Sequence, residues 1–557
     1  MRKVTRSFVA IAGVILTAAA CATAPLPVQV PILAPGSLRT RAERTNYIET
    51  SHYADVLSFL DSLRAAKAPL AFGSIGRTSE GREIPYIIAS RPLVSTPAEA
   101  KRLHRPIVYV QGNIHAGEVE GKDALLALVR DLAFSPRWNA LDSIVLIAVP
   151  IYNADGNERF APQSANRTEQ NGPEMVGQRA NAQSLDLNRD YMKAEAPETR
   201  ASLAMFNAWD PDVFVDLHTT DGSFHGYNLT YAPSLSPAAQ FGGLYARDSL
   251  LGVLRARVRT RQAFETFDYG DFISDDTLSK GWVTFDPRPR YATNYYGVRG
   301  RIAILSEAFS HDPLGRRIAA TYAFTTEILS LVAERRASIL ALNKRADQQS
   351  REWGRSSGPV QTVPIRSELT SNPPIEDVVA EIIEHTADSA QTQPGVPAGR
   401  RRTGKYVTVR MPVFDRFTPT LEVVPPAAYV FPATDTAVAT VLRFHGIVVD
   451  TVKSNWSGTG ESFLFDSISV APRQFQGHRE IRLKGKWYRE TRGVAAGSFI
   501  VRTAQPRGVL AVYLLEPESD DGLVDWNFFD SRLVRSIAFP VLRLPNVSDL
   551  PRSTSGR

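Results

Sequence analysis

Two hydrophobic rhythms alternate along the first part of the chain. Residues 53–63 (YADVLSFLDSL) place apolar side chains at helical spacing. Residues 84–89 (IPYIIA) and 106–111 (PIVYVQ) are instead short apolar runs of strand type, as are 144–150 (IVLIAVP), 213–217 (VFVDL) and 302–306 (IAILS). Residues 123–132 read as an amphipathic helix, and 317–332 as a long closing helix. Continuous apolar strands must be covered on both faces. Their alternation with helices predicts an α/β fold, with a mixed, mostly parallel central sheet flanked by helices over 46–340.

The rhythm changes after about residue 340. Residues 385–404 (HTADSAQTQPGVPAGRRRTG) are polar and rich in Pro and Gly, so 341–404 is expected to be a linker or mixed segment. Beyond it come short runs with turn signals between them, at 406–410, 428–431, 439–444, 462–465 and 508–515. These predict a β-sandwich-like accessory domain over 405–545. The sequence shows no internal repeat.

With 557 residues the chain is long enough for two or three domains, and 43% hydrophobic with 22% charged residues is ordinary for a globular protein. The first residues, MRKVTRSFVAIAGVILTAAACATAP, read as a secretory signal: Arg2, Lys3 and Arg6 precede an apolar run and then small residues. That run is far short of the roughly 20 residues that span a bilayer. The only cysteine, Cys21, stands where a lipoprotein signal would be cut, after a loose lipobox at residues 17–20. Membrane attachment through a lipidated Cys21 is therefore expected, with plain cleavage after Ala24 as the alternative. Residues 22–45 (starting ATAPLPVQVPILAPGS) read as a Pro-rich tether. The net charge of +6 falls to +3 once Arg2, Lys3 and Arg6 leave, and the one basic run, Arg400–Arg402, lies in a Pro/Gly segment. No nucleic-acid partner is implied.

In an open α/β sheet, sites form at the carboxyl ends of strands. Three polar clusters follow apolar strands here. Gln111-Gly-Asn-Ile-His115-Ala-Gly-Glu118 brings a His and a Glu three residues apart, both suited to zinc. His218 ends the strand VFVDL, and would complete a set of three ligands that leaves a fourth position for water, the arrangement of catalytic zinc. Glu307 ends the strand IAILS, where a carboxylate could take a proton from activated water.

In order and spacing, HAGE, YNADGNERF, SLDLNRDY, VDLHTT and LSEAFS resemble the zinc carboxypeptidases of the M14 (funnelin) type. The entry segment IGRTSEGREIP resembles that family's opening as well. The resemblance implies one zinc ion held by His115, Glu118 and His218, with Glu307 as general base. It implies that Asn188 and Arg189 grip the substrate's terminal carboxylate, and that Asp186 supports the first His ligand. A further cation near the scissile carbonyl is assigned to Arg167, with Arg179 as the rival. The chain also departs from the family's best-known members. Gly117 stands where they carry an Arg, and Phe285 where they carry a mobile tyrosine. Tyr291, Tyr295 or Tyr296 are the candidates to replace that tyrosine, Tyr291 as a substrate contact and Tyr296 as a structural residue. The implied activity is hydrolysis of the C-terminal peptide bond of a peptide. The alternatives are an amidase, deacylase or cell-wall peptide hydrolase using the same site, and an inactive binding protein of the same fold. His445 and His478 are expected to be structural. The acidic loop at 515–522 is expected to be a solvated turn, with calcium binding as the alternative.

Overall fold

Strands made only of apolar residues belong in the middle of a sheet, and the computed structural model puts them there. It describes residues 38–137, 139–274, 277–353, 361–386, 393–535 and 537–554. The expected signal peptide with Cys21, and most of the expected tether, lie outside these residues. The described end of the tether is not extended. Thr40 and Glu43 form a capping box on a short helix, Arg41–Arg44.

The central sheet has eight strands: β1 (Leu70–Arg77), β2 (Glu83–Ala89), β3 (Ile107–Gly112), β4 (Val145–Val149), β5 (Val213–Thr219), β6 (Leu229–Pro233), β7 (Thr266–Asp268) and β8 (Ile302–Ala308). Their order is β1-β2-β4-β3-β5-β8-β6-β7. The four central strands β4, β3, β5 and β8 run parallel, and β2 and β6 join them antiparallel. All of β3, β4, β5 and β8 is buried, which is why their sequences are apolar up to the polar residues near their carboxyl ends. Helix α1 (Tyr53–Ala65) precedes the sheet. Helix α2 (Glu120–Phe134) follows β3 and packs on β3, β5 and the long helix α3 (Leu314–Glu334). The expected mixed, mostly parallel α/β architecture is therefore present.

The segment 341–404 does not behave as a linker. It opens inside a helix (Arg336–Arg351) and contains the strands Val363–Leu369 and Ile375–His385. The second of these pairs with Arg400–Phe414, whose end pairs in parallel with Trp282–Val283 of the first half. The stretch between these two strands is a loop, and its residues 387–392 lie outside the described ones. Polar, Pro-rich composition marked this hairpin loop but not the strands around it.

The C-terminal region is β-rich and antiparallel. Its main sheet has the order Asp450–Thr451, Phe499–Arg502, Ala428–Phe431, Leu542–Leu544, Trp456–Val470, Ile481–Val494. Two expected strands are helices instead, Thr436–Phe444 and Gly508–Leu515. A short apolar run does not reveal its own period: Val438, Ala439, Val441 and Leu442 form the buried face of one helix, and Gly508–Leu515 is buried almost throughout. Val438, Leu442, Leu510 and Leu514 of these helices pack with Tyr429, Phe431 and Phe499 of the sheet. The core of this β-rich region thus holds helices together with the two-stranded sheet Val363–Leu369/Phe417–Val423, whose Val363 and Ile365 join the same cluster. The same apolar cluster runs on to Tyr109, Phe206 and Phe214 in the first half, so one core serves both halves. Among the described residues no helix is long and apolar enough to cross a membrane.

Candidate metal centre

The carboxyl ends of three adjacent strands build the site. β3 ends in a turn that begins at Asn113, whose backbone is left-handed (φ 66). Its side-chain amide donates to the carbonyls of Ala116 and Glu118 at 3.2 and 3.3 Å. This curls residues 113–118 back over the sheet, so that His115 and Glu118 face one point. The NADG turn supports it from behind. Asn153 donates to the carbonyl of Ile114 at 3.2 Å. The buried Asp155 of the same turn accepts from Thr78 (2.7 Å) and Arg82 (2.7 Å) of the GRTSEGR segment.

On β5 and β8, His218 and Glu307 are register partners, so the parallel pairing sets them side by side on one face. His115 Nδ1 lies 2.9 Å from Glu118 Oε1, and His218 Nδ1 lies 2.9 Å from Glu118 Oε2. All three side chains are buried. They form the one group of His, Cys, Asp and Glu among the described residues whose ligand atoms converge within metal-binding distance, all lying within 4.8 Å of one another. Ligand atoms of a tetrahedral zinc site stand about 3.3 Å apart, from bonds of roughly 2.0–2.1 Å. Two nitrogens and a carboxylate this close fit that geometry.

The outer nitrogens fit it as well. His115 Nε2 is 3.0 Å from Asp186 Oδ1, and His218 Nε2 is 3.0 Å from Asp216 Oδ2. The His115 ring is thus hydrogen-bonded by a carboxylate from behind and the His218 ring has one in ion-pair contact, each with Nδ1 turned inward. Asp186 was expected in this role. Asp216 was not, although the spacing was legible: two residues apart on β5, Asp216 and His218 share a face.

The electrostatics are those of a charged, dry cluster. Burial pushes the Glu118 carboxyl up, but His115 and Arg167 outweigh it and hold the group well below the usual carboxylate range. Burial likewise opposes ionisation of Asp186, and His115 with Arg179 reverses it. Glu307 behaves differently. Burial raises its carboxyl well above the ordinary value, the charges of Glu118 and Asp221 add to that, and His218 with Arg167 only partly offsets them. Side by side, one carboxyl is held as an anion and its neighbour favours the protonated form.

Both candidate arginines reach the cluster. Arg167 Nη1 is 3.1 Å from Glu118 Oε1, and its Nη2 donates to the carbonyls of Thr219 (3.3 Å) and Thr220 (3.0 Å). Glu169 and Asp221 sit at 3.0 and 3.3 Å. The side chain is 4% exposed and enclosed by acceptors. Arg179 donates from Nε to Asp186 at 2.9 Å and approaches Glu118 at 3.4 Å, yet its side chain is 35% exposed. Gly117 is explained by Arg167. A Cβ at 117 would stand 2.6 Å from Arg167 Cγ and 2.9 Å from the carbonyl of Gly177, so the stem of Arg167 occupies the space a side chain there would need.

Beside the cluster, Asp186 caps a 3-10 turn, Leu187–Arg189, by accepting from the Asn188 amide at 2.9 Å. Asn188 Oδ1 in turn accepts from the Ala292 amide at 2.8 Å. The Arg189 guanidinium stacks on Tyr291, 3.9 Å from the ring centroid. Asn188, Arg189 and Tyr291, separate in sequence, therefore meet. Phe285 packs on Tyr291 (5.3 Å between centroids) and on Tyr269 (5.7 Å), extending an aromatic wall that the sequence did not announce. Tyr295 and Tyr296 are core residues: Tyr295 bonds His445 Nδ1 at 2.7 Å, and Tyr296 bonds Ser202 at 2.9 Å. His445 is structural as expected, its Nε2 lying 3.1 Å from the Met192 carbonyl. The acidic loop is not a solvated turn. Asp521 is buried against Arg290, and Glu516 against Arg543 and Tyr429.

The family model described as zinc carboxypeptidase matches residues 56–241, which includes the HAGE, LDLNRD and LHTT segments and stops short of Glu307. Carboxypeptidase 2 of Trichophyton rubrum is 24% identical over 511 residues, 87% of this chain and 85% of that protein. Human carboxypeptidase Z is 35% identical over 155 residues, 26% of this chain and 22% of that protein. Among solved structures, a metallo-carboxypeptidase from Burkholderia cenocepacia aligns at 19% identity with a TM-score of 0.37, covering 51% of this chain and 70% of that one.

Proposed function

This chain belongs to the zinc carboxypeptidase family, and from that premise we propose that it is a zinc-dependent exopeptidase that removes the C-terminal residue of peptides. The observation that carries the reading is the juxtaposition of two units. One is the His115–Glu118–His218 cluster with Glu307 beside it; the other is the Asn188–Arg189–Tyr291 group next to Asp186.

His115, Glu118 and His218 would hold the ion, which supplies Lewis acidity at the scissile carbonyl and lowers the pKa of water. Glu307 accepts the proton of the attacking water and delivers it to the leaving amine, a task suited to a carboxyl whose affinity for protons is raised by burial. Arg189 receives the substrate's terminal carboxylate with its planar fork, and Asn188 adds an amide donor. Tyr291 holds the Arg189 plane from one side. We assign the cation facing the developing oxyanion to Arg179 rather than Arg167. Arg167 would have to leave Glu118 and two carbonyls to reach substrate, whereas Arg179 is anchored by Asp186 and still partly open to the cleft. Arg167 then keeps Glu118 ionised and in place.

The test pairs a chemical and a genetic arm. Peptides with free C-termini should be trimmed one residue at a time, and the same peptides amidated should resist cleavage. Glu307→Gln should lose at least about a thousandfold in kcat while retaining zinc. Internal cleavage of both peptide forms alike, or near-full turnover by Glu307→Gln, would refute the reading. For location we propose export with lipidation at Cys21; mass spectrometry of the mature N-terminus decides between that and cleavage after Ala24.

A further inference from the structure

The C-terminal region reaches the candidate carboxylate grip directly. Between the strands Trp456–Val470 and Ile481–Val494 the chain forms an arm, residues 471–480, continued by the bond from the Ala471 amide to the Glu480 carbonyl (2.8 Å). Its tip is a tight turn in which Phe475 and His478 exchange amide–carbonyl bonds at 2.7 and 3.0 Å. The two residues between them, Gln476 (φ 51) and Gly477 (φ 83), are both left-handed, the geometry of a two-residue hairpin turn that twists with its strands. Glycine adopts it freely. Glutamine does so against its steric preference, and its side chain has a use: Gln476 Oε1 accepts from the Asp186 amide at 2.8 Å, a contact 290 residues apart in sequence.

The same arm holds the opposite wall. Arg290 Nη1 is 2.5 Å from Glu480 Oε1, and Phe475 lies under the Arg290 guanidinium at 5.3 Å. The Arg290 amide and Nε donate to Asp521 at 2.5 and 2.9 Å. Tyr291, the next residue, is the one stacked on Arg189. His478 adds a bond to Glu195 at 3.0 Å.

We infer that this arm is a working wall of the cleft: Gln476 positions the Asp186–Arg189 turn, and Glu480 with Asp521 positions the segment ending in Tyr291. The grip on the substrate's terminal carboxylate is then assembled from both halves of the chain. The inference rests on the exopeptidase reading for the identity of the bound group, but not for the positioning itself. Gln476, Glu480 and Asp521 touch no reacting atom; they are positioning residues.

The test uses the full-length zinc enzyme and two substitutions. Gln476→Gly removes the acceptor while giving the turn a residue that prefers its backbone, so the melting temperature should hold or rise. Gln476→Glu keeps an acceptor oxygen. Two readouts are taken: KM and kcat for a free-carboxylate peptide, and amide hydrogen exchange across 186–189 and 290–292. In Gln476→Gly, KM should rise roughly fivefold with kcat within about twofold, the scale of one lost positioning hydrogen bond, and exchange at Asp186 should quicken several-fold. Gln476→Glu should recover most of both. Unchanged exchange, or faster exchange with an unchanged KM, would overturn the inference. If wild-type enzyme cleaves free and amidated peptides equally, the exopeptidase reading falls instead, while exchange and the KM for whichever peptide is cleaved still decide the role of the arm.

Discussion

Asp186 links a candidate ligand to a candidate substrate-facing cation, and Asp186→Asn isolates what it does. The carboxyl holds His115 Nε2 with one oxygen at 3.0 Å and Arg179 Nε with the other at 2.9 Å. Its two ion-paired neighbours hold it well below the usual carboxylate range against burial, so the negative charge is present throughout the working pH range. An asparagine can offer its single oxygen to only one of the two donors, and its NH2 must then face the other N–H. Each charge-assisted bond of this kind is worth about 1.5–3 kcal/mol, and the penalty of an unpaired buried donor is similar. Part of that loss falls on the metal-free fold. The part that appears in zinc binding comes from losing the orientation and basicity of the His115 ring, which costs about 10–100-fold in metal affinity, or about 1.4–2.7 kcal/mol. Arg179, freed on its Asp186 side, should also lower kcat about tenfold at saturating zinc, less than outright removal of an oxyanion donor would. Competition against a chromogenic chelator at fixed pH gives the first number, and steady-state kinetics with excess zinc the second. Zinc affinity within threefold of wild type would refute the claim that this carboxylate holds a metal-ligating imidazole.

Zinc affinity should also fall on acidification. Burial alone would lower the metal-free His218 pKa, but the Asp216 and Glu118 carboxylates raise it well above the ordinary histidine value. Binding needs the neutral ring, so below that raised value each unit of pH should cost about tenfold per proton released. A flat affinity between pH 8 and 6, measured by the same chelator competition, would contradict this. Asp525 governs stability at the other end of the chain. Burial, with the charges of Asp521 and Glu480, pushes its carboxyl up to about 8, and Arg290 offsets this only in part. A folded-state pKa above the unfolded value contributes stability that is complete below about pH 4 and is lost as pH rises through about 8. Asp525→Asn should therefore flatten the decline between pH 5 and 8, and gain about 2 kcal/mol or more at pH 8 by denaturant midpoint. Equal slopes in the two proteins would count against it.

What the sequence determined by itself was the local chemistry. Apolar runs at 107–110, 145–149, 213–215 and 302–305 specify buried strands, because side chains without polar groups on either face favour removal from water on both. Residues at the ends of those strands, His115, Glu118, His218 and Glu307, were legible as a site because parallel strands bring their carboxyl ends to one edge. Asp186 and the Asn188–Arg189 pair were legible through their motif. Tertiary structure alone decided the rest. Arg167 and Arg179 carry the same charge, and only packing shows one enclosed by carbonyls and the other left open. Residues 439–444 and 508–515 read locally as strands, and only packing shows the first as the buried face of a half-exposed helix and the second as a helix enclosed in the core. Gln476 carries no signal at all, since its meaning is a contact with a backbone amide 290 positions away. Periodicity and composition report on neighbours within a turn or a strand. Contacts between distant segments depend on how a shared core folds back on itself, which no local pattern encodes.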